Sequence, residues 1–159
     1  MNGRNWWTTP DGVKFSTQSG SGLQVKFKKL YSDAVTPSYA KDGDAGLDLT
    51  ATHMTWEENF IEYGTGIAVE IPEGYVGLVF PRSSVSKKED FYLKNSVGVI
   101  DSGYRGEIKL RFNKSDSHYQ AGEKIGQLII IPYPTIYLEE VEELSSTERG
   151  EGGFGSTGI

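Results

Sequence analysis

Apolar and polar residues alternate in short bursts along most of the chain, with little helical periodicity between them. Such alternation puts every second side chain on one face of a strand. Leu23, Val25 and Phe27 alternate with Gln24, Lys26 and Lys28, which predicts a first strand. A loop with Pro37 and the polar turn Lys41-Asp42-Gly43-Asp44 follows; then Leu47 and Leu49 point one way and Asp48 the other. Further strands are predicted over residues 60–63, 67–71 and 75–80, the last two joined by the turn Pro72-Glu73-Gly74. Pro81 has no amide hydrogen for the ladder and stops that strand. Residues 125–131 form a strongly apolar strand ended by Pro132 and Pro134, and 136–141 is another candidate strand. Only 83–90 suits a helix, of one turn or two, with serine available as N-cap. Short, frequent strands of this kind predict an all-β sandwich or barrel.

The most informative stretch is 95–110, Asn-Ser-Val-Gly-Val-Ile-Asp-Ser-Gly-Tyr-Arg-Gly-Glu-Ile-Lys-Leu. Val97 and Val99 share a face before a tight Asp101-Ser102-Gly103 turn, and Ile108 and Leu110 share one after it. That pattern predicts a β-hairpin. Asp101 stands where the first strand ends and Tyr104 opens the return, so the bend offers an acid and an aromatic to a flat ligand.

Composition narrows the chemistry. A chain of 159 residues is the size of one domain, and its 20 glycines and 6 prolines suit many turns. A net charge of −6 argues against a broad nucleic-acid surface. The absence of cysteine excludes disulfides and thiolate metal sites. With only His53 and His118 available, any metal should be hard and oxygen-bound. The longest aliphatic run, 128–131, is far too short to span a membrane, and residues 1–22 lack a signal peptide's apolar core. The expectation is a soluble, cytoplasmic protein with no membrane or nucleic-acid partner.

Three regions are expected. Residues 1–22 are a polar leader with Trp6 and Trp7, ending in a flexible Gln-Ser-Gly-Ser-Gly linker; a native extension and a scar of expression are both open. Residues 23–148 carry the β domain. Residues 149–159, Arg-Gly-Glu-Gly-Gly-Phe-Gly-Ser-Thr-Gly-Ile, contain five glycines and form no stable element alone. They are either a disordered tail or an arm that orders over a phosphate, with amides, hydroxyls and Arg149 as donors.

Other pieces also suit phosphate oxygens. Pro81-Arg82-Ser83-Ser84 sets a guanidinium before hydroxyls at a possible helix start, although a helix cap with a surface arginine reads the same way. Gln127, a polar amide in an apolar strand, needs a partner if buried: a phosphate or a neighbouring loop. Asp101 taken alone is a turn former.

Together these pieces resemble the trimeric deoxyuridine triphosphate nucleotidohydrolases, the dUTPases, over residues 23–159. Five signatures occur in the family's order: Ala45-Gly46-Leu47-Asp48-Leu49; Pro81-Arg82-Ser83-Ser84; Asn95 through Gly106; Gly122-Glu123-Lys124-Ile125-Gly126-Gln127-Leu128; and Arg149-Gly150 with Gly153-Phe154-Gly155-Ser156-Thr157-Gly158. The resemblance implies a jelly-roll-like β fold with at most one short helix and a Gly-rich C-terminal arm. It implies a homotrimer whose active sites are shared between subunits. The reaction implied is hydrolysis of dUTP to dUMP and diphosphate by attack of water at the α-phosphorus. This keeps uracil out of DNA and supplies dUMP for dTMP synthesis. Mg2+ would be the cofactor, held mainly by phosphates and water with no direct protein ligand.

Carried over by position, Asp101 would be the general base and Asp48 a supporting acid. Tyr104 would pack under the deoxyribose. Asn95 and the backbone at Gly98, Val99, Ile100 and Lys109 would read the uracil edge. Arg82, Ser83, Ser84 and Gln127 would hold phosphates. Arg149 would contact the terminal phosphate, Phe154 would cover the base, and Gly155 would join them in the closing arm. Ser84 stands where many members carry glycine, and Gly126 where alanine is frequent; both exchanges are expected to be harmless. Residues 85–94, with Lys87-Lys88-Glu89-Asp90, read as a loop extension. The rival activities are a dCTP deaminase of the same fold, whose catalytic glutamate would fall where this chain has Arg111, and a dUTPase-fold regulatory or protein-binding module.

Overall fold

The alternating segments fold into strands that surround one apolar core. The computed structural model describes residues 22–153 and, before them, the backbone of two short strands, β1 (Trp6–Thr8) and β2 (Lys14–Ser16). β1 pairs antiparallel with β2 inside the leader. The rest of the leader before residue 22, and Phe154 and Gly155 in the arm, lie outside the described residues.

The larger sheet has the order β4 (Leu47–Thr50), β11 (Lys124–Pro132), β8 (Tyr75–Pro81), β9 (Gly98–Ile100). A second joins β10 (Lys109–Phe112), β6 (Ile61–Gly64) and β5 (His53–Trp56). A third pairs β3 (Lys26–Lys29) with β7 (Ile67–Glu70). Leu49, Val79, Ile125 and Leu128 from the first sheet meet Ile61, Tyr63, Leu110 and Phe112 from the second, with Ile67 and Val69 from the third. Full burial of each such aliphatic side chain stabilises by about 1.5–3 kcal/mol relative to exposure. The Tyr63 hydroxyl donates to Tyr119 O at 2.9 Å inside this core. Burial disfavours the phenolate and pushes its pKa up to about 12. The architecture is an all-β, jelly-roll-like fold, with one 3-10 helix, Ser83–Lys87, among the described residues.

Four details differ from the sequence pattern. The strand predicted from Leu23 onward is β3 and begins at Lys26, because its register is set by pairing with β7, Lys26 opposite Glu70. His53–Trp56 is a strand absent from the sequence reading; its alternation covers only four residues, and its partner β6 holds it. Residues 136–141 are not a strand: Tyr137 and Leu138 are both 86% exposed, so neither face of this stretch meets the core. The predicted 95–110 hairpin is not one ladder. β9 pairs with β8, whereas β10 pairs with β6 in the other sheet. The return limb is drawn away by long-range bonds: Ile108 N donates to Ile67 O at 2.8 Å, and Gly66 N to Glu107 Oε1 at 2.7 Å.

At the start of β11 a bulge between Lys124 and Gly126 shifts the register against β4. Gly126 is buried there, and a Cβ would stand 2.6 Å from Leu110 Cδ2 and 3.0 Å from Phe80 O. Glycine at this position is therefore matched to this chain's own packing. Gly126→Ala should destabilise by about 1–3 kcal/mol through overpacking, read as a lower urea midpoint. An unchanged midpoint would mean that Leu110 moves aside freely.

Candidate active site

β4, β8 and β11 meet where three of the signature segments converge. Leu49 turns into the core, so its neighbour Asp48 faces the opposite way on β4. Its side chain is only 12% exposed and both oxygens are engaged: Lys124 Nζ donates to Oδ2 at 2.7 Å, and Arg82 Nε lies 3.3 Å from Oδ1. Gln127 sits opposite Asp48 on β11 and donates through Nε2 to Pro81 O at 3.3 Å. Its Oε1 lies over Gly46, where a Cβ would meet it, so a side chain at that point would displace the Gln127 amide. Asp48, Arg82 and Gln127 are thus brought together from three distant segments.

The 3-10 helix after Arg82 carries Ser83, which is exposed, and Ser84, which is half-buried and lies 2.9 Å from the Tyr119 hydroxyl. Arg82, Ser84, Lys87, Lys88, Tyr119 and Lys124 line an open groove of about 510 Å³. Among the described residues, Glu123 is the only acid on its wall. On a chain of net charge −6, this is a local cationic surface suited to an anion. Lys124 and Tyr119 had no assigned role in the sequence. Their partners Asp48 and Ser84 lie 76 and 35 residues away, so no local pattern marks them.

The Asp101 bend is self-braced. Tyr104 N donates to Asp101 O at 3.0 Å, and the Tyr104 hydroxyl donates to Glu107 O at 3.0 Å. The Tyr104 ring end rests on Gly106, which leaves no room for a Cβ. Arg105 Nη1 closes the loop onto Ser102 O at 2.6 Å. Asp101 itself is exposed. β9 is the end strand of its sheet, so Gly98, Val99 and Ile100 have one backbone edge without a partner strand. Val99 is 62% exposed, and the Asn95 amide lies 3.8 Å from where a Gly98 Cβ would be.

Lys109 lies in the other sheet, opposite Gly64, and its ammonium contacts Glu62 Oε1 at 2.7 Å. That hydrogen bond holds the Glu62 carboxyl below its ordinary range, opposed by partial burial and helped by Arg111, whose Nε lies 2.8 Å from Oε2. Arg149 is exposed, and its Nε donates to Gly152 O at 2.9 Å within its own turn.

Distance separates the two groups of residues. Ile100 pairs with Gly77 and Gly126 with Pro81, so Asp101 follows one end of β8 and Arg82 the other. Asp101 therefore stands level with Val76, six residues of extended chain before Arg82, which corresponds to about 20 Å. Among the described residues, one chain does not bring the Asp101 bend to the cationic cluster.

The dUTPase family model matches residues 32–158. A deoxyuridine 5'-triphosphate nucleotidohydrolase of Cutibacterium acnes is 44% identical over 131 residues, covering 77% of this chain and 85% of the relative. One from Clostridium acetobutylicum is 42% identical over 146 residues, covering 86% and 98%. A variant dUTPase of Staphylococcus bacteriophage 80alpha, solved with dUpNHpp, superposes with a TM-score of 0.72 at 32% identity, covering 86% of this chain and 99% of that one. A variant dUTPase of phage phi11 of S. aureus, with a structural Mg(II) ion, gives a TM-score of 0.63 at 29% identity over 76% of this chain and 98% of that one. With the family matched over most of its length and its signature residues gathered at two ends of one strand, the chain belongs to the dUTPase family.

Proposed function

We propose that the protein hydrolyses dUTP to dUMP and diphosphate in sites completed by neighbouring copies in a homotrimer. The observation that carries this reading is the cationic cluster held on Asp48, on the same fold as the dUTPases. Arg82, Ser83, Ser84, Gln127 and Lys124 bind the phosphate chain. Asp48 acts as an anchor: it fixes Arg82 and Lys124 and leaves their outer faces to the anion. Asp101 accepts the proton of the attacking water. Tyr104 packs under the deoxyribose. The open edge of β9, with Asn95 beside it, reads the base through backbone donors and acceptors, a mode that penalises a base with the wrong pattern. Because the phosphate cluster lies about 20 Å from Asp101 along β8, further than a triphosphate reaches, the two halves of each site come from different subunits.

Mg2+ fits as an ion carried by the substrate. No cluster of three or more potential ligands occurs among the described residues, and Asp48 already contacts two cations. Magnesium keeps waters and phosphate oxygens as ligands, and when bound it supplies charge neutralisation along the phosphates. Among the described residues, no helix is long and apolar enough to cross a membrane.

Pyrophosphate release measured across dUTP, dTTP, dCTP and UTP with magnesium tests the function. Turnover confined to dUTP is expected; equal turnover of dTTP or UTP would remove the base and sugar readings. The arm is tested by ending the chain at Glu148. Residues 149–153 bond locally, mainly within the 147–152 turn, so the β core should melt as before. Hydrolysis should fall by about two orders of magnitude as closure and its donors are lost. Full activity in the truncated protein would refute the arm's role.

A further inference from the structure

We infer that Tyr119 is a positioning residue that aims the Ser84 hydroxyl at the substrate's phosphates. The inference rests on the reading of the cationic groove as the phosphate site.

Tyr119 is 3% exposed, and its ring is locked by edge contacts with Phe91, Phe112 and Tyr63 at 5.5, 6.0 and 6.5 Å between centroids. Its carbonyl is tied by the Tyr63 hydroxyl. Lys88 Nζ sits 4.6 Å above the ring and is itself held by His118 O at 3.2 Å. A side chain fixed on so many sides delivers its one polar atom to one place. That place is Ser84 Oγ, 2.9 Å away on the groove wall.

The direction of this bond decides what the serine offers. Each hydroxyl carries one proton and two acceptor lone pairs, and a phenol is the better donor of the two. With Tyr119 donating, Ser84 Oγ is the acceptor, and the serine proton is turned away from the tyrosine toward the groove. Arg82 and Lys124 line the same groove and would hold an anion there. Without the tyrosine hydroxyl, the serine is free to rotate, and it can spend its proton on a backbone carbonyl or on water. Tyr119 acts through Ser84 and does not touch the substrate.

The test compares the wild type, Tyr119→Phe, Ser84→Ala and the double variant, with kcat and KM for dUTP and a melting curve for each. Each single variant should raise KM about fivefold with kcat nearly unchanged, the signature of lost uniform binding. The double variant should be no worse than Ser84→Ala, since the tyrosine hydroxyl has nothing left to orient. Wild-type KM in Tyr119→Phe would overturn the inference, as would losses that multiply to about 25-fold in the double variant. If Tyr119→Phe does not fold, Ser84→Ala decides: wild-type KM in that protein removes the serine and with it the tyrosine. Failure of the wild type to hydrolyse dUTP would instead remove the functional reading itself, so the two failures are distinct.

Discussion

Asp101→Asn should keep the affinity for a non-hydrolysable dUTP analogue within a few-fold and lower turnover by about two to four orders of magnitude. The bend is held by backbone groups, Tyr104 N to Asp101 O at 3.0 Å, and by Arg105 and Tyr104 closing on their neighbours. The Asp101 carboxylate takes no part in those bonds and is exposed. Asparagine has nearly the same shape, so the bend and the β9 edge persist. What it cannot do is accept the proton of an attacking water. The expected split is therefore in the chemical step and not in binding, and calorimetric titration alongside single-turnover kinetics measures both. Turnover near the wild-type rate would remove Asp101 from its role as base.

Mixing two inactive variants should restore activity. On the proposed function, Arg82→Ala loses a phosphate-binding cation and Asp101→Asn loses the base, so each alone is expected to be nearly silent. If each site takes its bend from one subunit and its cluster from another, random assembly of equal amounts gives intact pairs in about a quarter of sites. Co-refolded mixtures should then recover about a quarter of wild-type turnover. A site built within one chain would recover nothing, because every chain carries one lesion. The separation of about 20 Å along β8 is why recovery is expected. Arg82 is 35% exposed and does not belong to the core, so its replacement should leave the fold intact. The melting temperature of each variant checks this.

Strands that turn apolar side chains into the common core are the legible ones. β4, β6, β7, β8 and β11 alternate or run apolar because each presents residues to the same core. β5 does not stand out, since Met54 and Trp56 are its only apolar positions, Trp56 stays exposed, and the strand depends on β6 for its pairing. The opposite holds at 136–141, where alternation predicts a strand but the described chain offers it no partner. Tyr137, Leu138 and Leu144, the last 88% exposed, are apolar side chains without a surface to cover in the single chain. In the 95–110 stretch the turn was correctly located. The pairing was not, because Ile67 and Gly66 compete for the return limb from some 40 residues away.

The sequence by itself determined the fold class and the family, because alternation encodes burial and the five signatures preserve residue identity in order. It also marked Asp48, Arg82, Ser84, Asp101 and Gln127 as the residues to find. Only the tertiary structure decided how they combine. It made Asp48 an anchor between Arg82 and Lys124, drew Tyr119 to Ser84, and set Asp101 at the far end of β8. Charge pairing, hydroxyl orientation and the span of a strand depend on contacts between segments tens of residues apart, and no local pattern in the chain encodes those contacts.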